Sequence, residues 1–255
     1  MKNVSFVIME YEDWQQWGKD PEPESRHNIK RVEGNLSDME STKQLVSLIS
    51  TVYEPDMKIL DVGCNVGHYL TGLRKKYPNL KYTGADAYDY YISQAQNAFK
   101  NDKNANFYVK DIFQPIFPDE PFDIVYSCNV LLHLPDFRKP MINLLQSTKQ
   151  TCFIRTLLGE YTNIVKSPTV DTYDEDGNPL DYWYLNTWKK DYFLDFIHQL
   201  GWKTEVITDK FDPKPIQNEY EHVKNKTDVS TRMLGDVQVM ENVICNWTWI
   251  KITKI

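Results

Sequence analysis

The stretch Lys58-Ile-Leu-Asp-Val-Gly-Cys-Asn-Val-Gly-His-Tyr-Leu70 decides the fold of this chain. It opens with an apolar, β-branched run of the length of a buried strand, and Gly63 and Gly67 flank a turn. A helix that begins near Val66 directs its free N–H groups back at that turn. Strand, turn and helix together predict a seat for polar or anionic ligand atoms.

One acidic residue distinguishes this turn from the turn that binds nicotinamide cofactors. The nicotinamide fingerprint reads G-x-G-x-x-G and needs no carboxylate ahead of its first glycine, where this chain has Asp61. An acid at that place suits a ligand that carries an ammonium and a sulfonium. A nicotinamide-dependent oxidoreductase is therefore disfavoured.

Residues 59–67 resemble motif I of the class I S-adenosylmethionine-dependent methyltransferases, written hydrophobic-hydrophobic-D-h-G-C-G-x-G. The middle glycine is replaced by asparagine, which tolerates left-handed backbone angles and so preserves the turn. The resemblance implies S-adenosylmethionine as cofactor and S-adenosylhomocysteine as product. Within the motif it assigns cofactor binding to Asp61, Gly63, Cys64, Asn65 and Gly67.

The next predicted strand, 80–86, ends in an acid about 20 residues past the turn, the usual offset for a ribose-binding carboxylate. The resemblance therefore assigns the ribose hydroxyls to Asp86. Asp89 in the same loop is a close competitor, and an N-cap of the following helix is the structural alternative for Asp86.

The third predicted strand, near 106–110, is followed by Asp111 and Ile112. In the family an acid at this place meets the adenine amino group, and the next backbone N–H meets the ring. The resemblance assigns those roles to Asp111 and Ile112. The alternative for Asp111 is an ordinary loop aspartate.

The fourth predicted strand, 122–128, begins with the F-D-h-V pattern common in the family. Residues just after this strand line the methionine and the methyl group there, so the resemblance places Ser127, Cys128 and Asn129 near the reaction centre. Cys128 and Asn129 are taken as cofactor-binding residues.

Two further side chains are candidates for catalysis and acceptor binding. His133 follows the fourth strand and suits a general base at neutral pH, with packing of the loop as the alternative. Arg155, near the end of the fifth strand, suits a phosphate or carboxylate on the acceptor, with a salt bridge as the alternative. Tyr182, Trp183 and Tyr184 suggest a lid over the acceptor.

The alternation of strands and helices predicts an α/β fold, a Rossmann-like seven-stranded, mostly parallel sheet with its last strand antiparallel. The last strand is expected at 242–251. Residues 1–56 are predicted to form an N-terminal helical cap, and 57–255 the Rossmann-like domain, with insertions at about 159–187 and 209–239.

The composition of the chain argues against several kinds of binding partner. The 255-residue chain has a net charge of −7, which argues against a nucleic-acid substrate. No apolar stretch approaches the ~18 residues that span a bilayer. The spacing of the four cysteines and five histidines indicates no metal site, and free thiols favour a cytoplasmic protein.

We expect methyl transfer to a small-molecule acceptor, first of all to an oxygen of a sugar, a phosphate-bearing compound or a natural-product precursor. The Gly-Cys-Asn-Val-Gly variant resembles bacterial enzymes that modify surface-glycan or natural-product precursors. One alternative is N-methylation of a small molecule. Another is a catalytically silent, cofactor-binding partner subunit. The sequence does not indicate the oligomeric state.

Overall fold

The computed structural model describes residues 21–168, 173–180, 182–210, 231–234, 237–240 and 243–254. The helices are α1 (Pro21–Val32), α2 (Glu40–Ile49), α3 (His68–Lys76), α4 (Asp89–Ala98), α5 (Arg138–Gln146) and α6 (Lys190–Gln199), with a 3-10 turn at Leu131–His133. The strands are β1 (Lys58–Val62), β2 (Lys81–Asp86), β3 (Ala105–Val109), β4 (Phe122–Cys128), β5 (Thr148–Gly159), β6 (Lys166–Pro168), β7 (Tyr182–Tyr184), β8 (Trp188–Lys189), β9 (Trp202–Thr208), β10 (Thr231–Leu234), β11 (Val237–Met240), β12 (Val243–Ile244) and β13 (Trp247–Lys254).

The main sheet has the strand order β3-β2-β1-β4-β5-β13-β9, and the short β8 also pairs with β5. The pairs among β3, β2, β1, β4 and β5 are parallel. β13 lies between β5 and β9 and is antiparallel to both. This confirms the predicted Rossmann-like sheet with an antiparallel last strand.

Each face of the sheet has its own hydrophobic core, because side chains alternate between faces along a strand. In β1, Ile59 packs with α2, α3 and α4, whereas Leu60 belongs to the core under α5 and α6. Both side chains are fully buried. The alternation covers both faces of the parallel strands and leaves their carboxyl ends as one polar edge.

The bounds of the last strand differ from the sequence prediction, and those of the first helix were not predicted. The proline- and glutamate-rich segment before Arg26 belongs to α1, which begins at Pro21, since proline is well tolerated in the first turn of a helix. The last strand of the main sheet begins at Trp247 instead of residue 242. Residues 243–244 pair with β11 in a separate three-stranded sheet.

The predicted N-terminal cap is partly described. α1 packs on α3 and α4, and α2 packs on α3, so both helices lie on the same side of the sheet as α3. The aromatic residues Tyr11, Trp14 and Trp17 of this segment lie outside the described residues. The domain boundary at residue 57 stays a prediction.

Both predicted insertions contain small sheets. In the first, β6 and β7 pair antiparallel, and Tyr173 bridges Pro179 across the predicted turn. In the second, β10 and β11 form an antiparallel pair that β12 extends, while 211–230 lie outside the described residues. In the described part of the chain, no helix is long and apolar enough to cross a bilayer.

Candidate active site

The turn after β1 adopts the left-handed backbone that the motif requires. The φ angles of Gly63 and Gly67 are 78° and 80°, and that of Asn65 is 51°. Asparagine therefore occupies the left-handed position, as expected from its tolerance of this region. The N–H groups of Gly63 and Cys64 donate to the carbonyl of Ala85 over 2.7 and 3.1 Å, which fixes the turn to the end of β2.

The Asn65 side chain links the turn to the N-terminal helix. Its Oδ1 accepts the N–H of Val66 over 2.9 Å and lies 3.4 Å from Nδ2 of Asn28 on α1. This contact uses the one position at which the motif departs from the family pattern, and it places α1 beside the predicted methionine end of the site.

Asp86 ties two loops together. Its Oδ2 accepts the N–H of Asn65 over 2.8 Å, and its Oδ1 accepts the N–H of Tyr88 over 3.2 Å. The side chain of Tyr88 does not cap α4, and Asp86 lies three residues before this helix, so the N-cap alternative for Asp86 is wrong. Burial raises the pKa of Asp86 to about 6 although backbone donors oppose the rise. Asp89 is exposed on α4.

Asp61 is buried behind the turn. Its Oδ2 accepts the phenol groups of Tyr82 and Tyr126 over 2.7 and 2.9 Å. Burial raises its pKa to about 7, the two phenols oppose this rise, and the charge of Asp86 adds to it. Only 1% of the residue is exposed, and its predicted role in cofactor binding stays a prediction.

The residues predicted to bind adenine lie after β3, next to the strand that ends in Asp86. Asp111 is half-buried, and its Oδ1 accepts the N–H of Phe113 over 2.8 Å, which is a common turn for a loop aspartate. Ile112 is buried, and its carbonyl accepts Nδ2 of Asn143. Their contacts with adenine stay predictions.

The segment after β4 lies against the glycine turn. A Cβ added at Gly63 would lie 2.2 Å from a γ-methyl of Val130. Asn129 has a φ of 60°, and Cys128 is buried with a thiol pKa raised well above its usual value by burial. Ser127 is fully buried and donates to the carbonyl of Val62, so it joins β4 to β1.

His133 is held by the first insertion. Its Nδ1 lies 2.8 Å from the carbonyl of Tyr184, and because a carbonyl only accepts, Nδ1 carries the proton and Nε2 the lone pair. Burial lowers the pKa of His133 to about 4. The imidazole is therefore neutral and only weakly basic at neutral pH, and its catalytic role stays a prediction. Its contact with Tyr184 positions one of the three predicted lid aromatics.

Arg155 forms the salt bridge that was one of its two alternatives. Its Nε lies 2.8 Å from Oδ1 of Asp209, and its Nη1 donates to Oδ1 of Asn129 over 2.6 Å. Only 5% of the Arg155 side chain is exposed. A direct contact with an anionic acceptor is not the arrangement that the structure shows.

Several residues that contact or adjoin the candidate site were not identified from the sequence. Tyr82 and Tyr126 lie on the strands that flank β1, and the parallel register sets Tyr126 opposite Asp61. Their position in predicted neighbouring strands was the available signal. His68, the first residue of α3, is 7% exposed, and its Nδ1 has no hydrogen-bond partner among the described residues.

These residues fit S-adenosylmethionine. The unpartnered His68 Nδ1 and the N-terminus of α3 can meet polar ligand atoms beside the turn, while Asp61 and Asp86 favour a cation. The four cysteines are unbridged, buried thiols. Among the described residues, no group of three or more histidines, cysteines or acids is placed to hold a metal ion.

Comparison with known protein families agrees with this geometry. Residues 59–150 match the family described as a methyltransferase domain. Over 86 residues the chain is 33% identical to cycloartenol-C-24-methyltransferase of Arabidopsis thaliana, a match that covers 32% of this chain and 25% of that protein. Over 99 residues it is 31% identical to phosphoethanolamine N-methyltransferase of Triticum aestivum, covering 38% and 19%. The matches thus span about a fifth to a quarter of these relatives.

Solved structures share the fold over nearly the whole chain. The [4+2]-cyclase SpnF superposes with a TM-score of 0.59 at 14% identity and covers 91% of this chain and 94% of its own. The plantazolicin methyltransferase BpumL in complex with SAH superposes with a TM-score of 0.54 at 15% identity, covering 95% and 94%. At these identities the likeness shows the fold alone.

Proposed function

We propose that this chain, whose residues 59–150 match the methyltransferase-domain family, is a class I S-adenosylmethionine-dependent methyltransferase that transfers a methyl group to an oxygen of a small-molecule acceptor. S-adenosylmethionine, when bound, supplies a methyl group on a sulfonium, and S-adenosylhomocysteine remains after transfer. The protein's part is to hold the acceptor in line with the methyl group and to exclude water.

The observation that carries the proposal is the pair of buried carboxylates beside the glycine turn. Asp61 and Asp86 are 1% and 8% exposed, and burial raises the pKa of both. Their hydrogen-bond partners are phenols and backbone amides, and no described lysine or arginine forms an ion pair with either. A ligand with an ammonium and a sulfonium would supply the missing positive charge.

The site residues are proposed to divide the cofactor among them. Asp86 takes the ribose hydroxyls, and Asp111 with the Ile112 N–H takes adenine. The glycine turn, Cys64, Cys128 and Asn129 surround the methionine end. His133 is the candidate for accepting a proton, but with a pKa of about 4 it can serve only where the acceptor oxygen ionises easily.

Transfer to oxygen is supported by the segment after β4. It reads Cys128-Asn-Val-Leu131 and lacks the N-P-P-Y/F signature associated with methylation of base or amide nitrogen. The net charge of −7 and the buried free thiols favour a cytoplasmic reaction on a small molecule and not on nucleic acid. Sugars, phosphate-bearing compounds and natural-product precursors, including surface-glycan precursors, are the classes to test.

N-methylation is the second candidate, because several relatives matched over 38% of this chain are named phosphoethanolamine N-methyltransferases. A third reading, a catalytically silent cofactor-binding subunit, is kept because residues that bind the cofactor do not by themselves prove turnover. The three readings differ in what happens to the methyl group.

The experiment is transfer from S-adenosylmethionine labelled with ¹³C in its methyl group to a panel of alcohols, phosphate-bearing sugars and amines. The ¹³C chemical shift of the product distinguishes O-methyl from N-methyl. Product signals only with amines would overturn oxygen transfer. Cofactor binding without any product across the panel would favour the silent subunit.

A further inference from the structure

We propose that Arg155 is a positioning residue, which clamps Asn129 in its left-handed backbone conformation and thereby seats the segment after β4 on the cofactor's glycine turn. The proposal rests on the proposed function, since it concerns the cofactor site. It differs from the sequence prediction, in which Arg155 contacts the acceptor.

Two hydrogen bonds join the same pair of residues. The backbone N–H of Asn129 donates to the carbonyl of Arg155 over 2.9 Å, and Nη1 of Arg155 donates to Oδ1 of Asn129 over 2.6 Å. Arg155 is the register partner of Cys128 on the neighbouring strand, so the guanidinium reaches the first residue beyond β4. Asparagine tolerates a φ of 60° better than most residues but less well than glycine, and these two bonds stabilise it.

The guanidinium is itself held by residues on β13 and directly after β9. Its Nε pairs with Asp209, which directly follows β9 and has only 6% of its side chain exposed. The indole N–H of Trp249 lies 3.0 Å from Oδ1 of Asp209 and 2.8 Å from Oε1 of Gln44 on α2. The Trp247 ring covers the guanidinium, with 4.0 Å between Cζ and the ring centroid.

At its other end, this series of contacts reaches the glycine turn after β1. Val130 follows Asn129, and its γ-methyl fills the space in which a side chain at Gly63 would lie. If Asn129 left the left-handed region, the direction of the chain at Val130 would change, and the contact with the turn would be lost. The alignment of the turn thus depends on a side chain that is buried away from it.

The test uses the affinity of the full chain for S-adenosylhomocysteine, measured by calorimetry, so that no acceptor is needed. We expect Arg155→Met to weaken binding roughly tenfold, because the left-handed residue is no longer held. Asp209→Asn should weaken it in the same direction by less. Arg138→Met, which removes the first residue of α5 and its ion pair with Asp136, is the control and should bind as the wild type does.

The decisive comparison replaces Asn129 by glycine, which adopts positive φ without strain. In the Asn129→Gly background, Arg155→Met should change the affinity by less than about twofold, since the backbone no longer needs the clamp. A tenfold loss that persists in that background overturns the proposal, as does a wild-type affinity of Arg155→Met. If Arg155→Met does not fold, judged by circular dichroism, the same cycle with Arg155→Lys decides.

Failure of the proposed function gives a different result. If the wild-type protein does not bind S-adenosylhomocysteine, the cofactor assignment fails before the variants are compared. If the wild type binds and all variants bind equally, only the positioning role of Arg155 fails.

Discussion

The backbone N–H of Asn65 donates to Oδ2 of Asp86 over 2.8 Å, so the carboxylate expected to hold the ribose also holds the glycine turn. The second oxygen holds the following loop through the N–H of Tyr88. We therefore expect one side chain to couple the shape of the turn to the binding of the ligand. Loss of Asp86 should affect both properties together.

Asp86→Ala should weaken S-adenosylhomocysteine binding by about 1–3 kcal/mol, the usual value of hydrogen bonds to a charged group. It should also lower the melting temperature of the ligand-free protein, because two backbone N–H groups lose their acceptor. Calorimetry and thermal unfolding measure the two effects. Asp89→Ala, at an exposed helix position, is the control and should change neither. If the two variants exchanged these results, the ribose role would move to Asp89.

At a concentration 100 times its Kd, S-adenosylhomocysteine should stabilise the folded protein by about 2.7 kcal/mol. The melting temperature should rise as a result. NAD should cause no shift, because the turn lacks the nicotinamide fingerprint and carries Asp61 ahead of its first glycine. Differential scanning fluorimetry with both ligands is sufficient. Equal shifts would contradict the assignment of the cofactor.

The ligand-free protein should lose stability as the pH rises from about 4 to about 7. Burial raises the folded pKa of Asp61 to about 7, above the ordinary aspartate value of about 3.9 that applies in the unfolded chain. The contribution is therefore complete below the unfolded pKa and disappears as the carboxyl ionises in the folded state. Each unit of pKa difference corresponds to about 1.4 kcal/mol.

Asp61→Asn is the matched variant for this pH effect, because the amide oxygen still accepts the phenols of Tyr82 and Tyr126 but does not ionise. Denaturant unfolding at a series of pH values between about 5 and 8 should give a flatter curve for the variant. Parallel curves for the two proteins would assign the dependence to other groups. Saturating S-adenosylmethionine should also flatten the wild-type curve, since a cation favours the ionised acid.

Gly63→Ala should disturb the turn in two ways. Its φ of 78° costs an alanine about 1–2 kcal/mol, and the new Cβ would overlap a γ-methyl of Val130. Both folding stability and cofactor affinity should fall. Adding Val130→Ala removes the overlap and should restore part of the loss, which a double-mutant cycle measures. No recovery would mean that backbone strain alone is responsible.

His133 should stay neutral, with its proton on Nδ1, at every pH above about 5, because burial lowers its pKa to about 4. Long-range ¹H–¹⁵N spectra of the histidine rings report the tautomer directly. His133→Gln gives the control spectrum that identifies the signal. Titration of this signal near pH 6.5 would show that the imidazole is exposed to water and would revive its role as a base.

The sequence was sufficient for the elements that local patterns specify. β1 and β4 have the predicted bounds, because their apolar runs end at glycine and polar residues. The start of α1 at Pro21 was not predicted, because alternating prolines and glutamates give no apolar helical period. The end of the sheet was misplaced because residues 243–251 alternate continuously, although 243–244 pair with a different sheet.

At the site, the sequence did not predict which residues far apart in the chain contact each other. The sequence identified Asp61 and Arg155 but not Tyr126 and Asp209 as their partners, since these pairs are 65 and 54 residues apart. The pairing follows only once the strand order and register are known. The pKa of Asp61 could not be inferred either, because it depends on the burial of Asp61 on β1 between β2 and β4.

The position of β13 has a consequence for how the protein folds. β5 and β9 do not pair with each other, so each obtains its neighbour on that side only when β13 inserts between them. Trp247 pairs with Leu157, about 90 residues earlier, and loops of this length are closed slowly. During synthesis, the first five strands can therefore assemble while Arg155 still lacks Trp247, Trp249 and Asp209. We expect the nascent protein to acquire cofactor affinity late, in the step that completes the sheet.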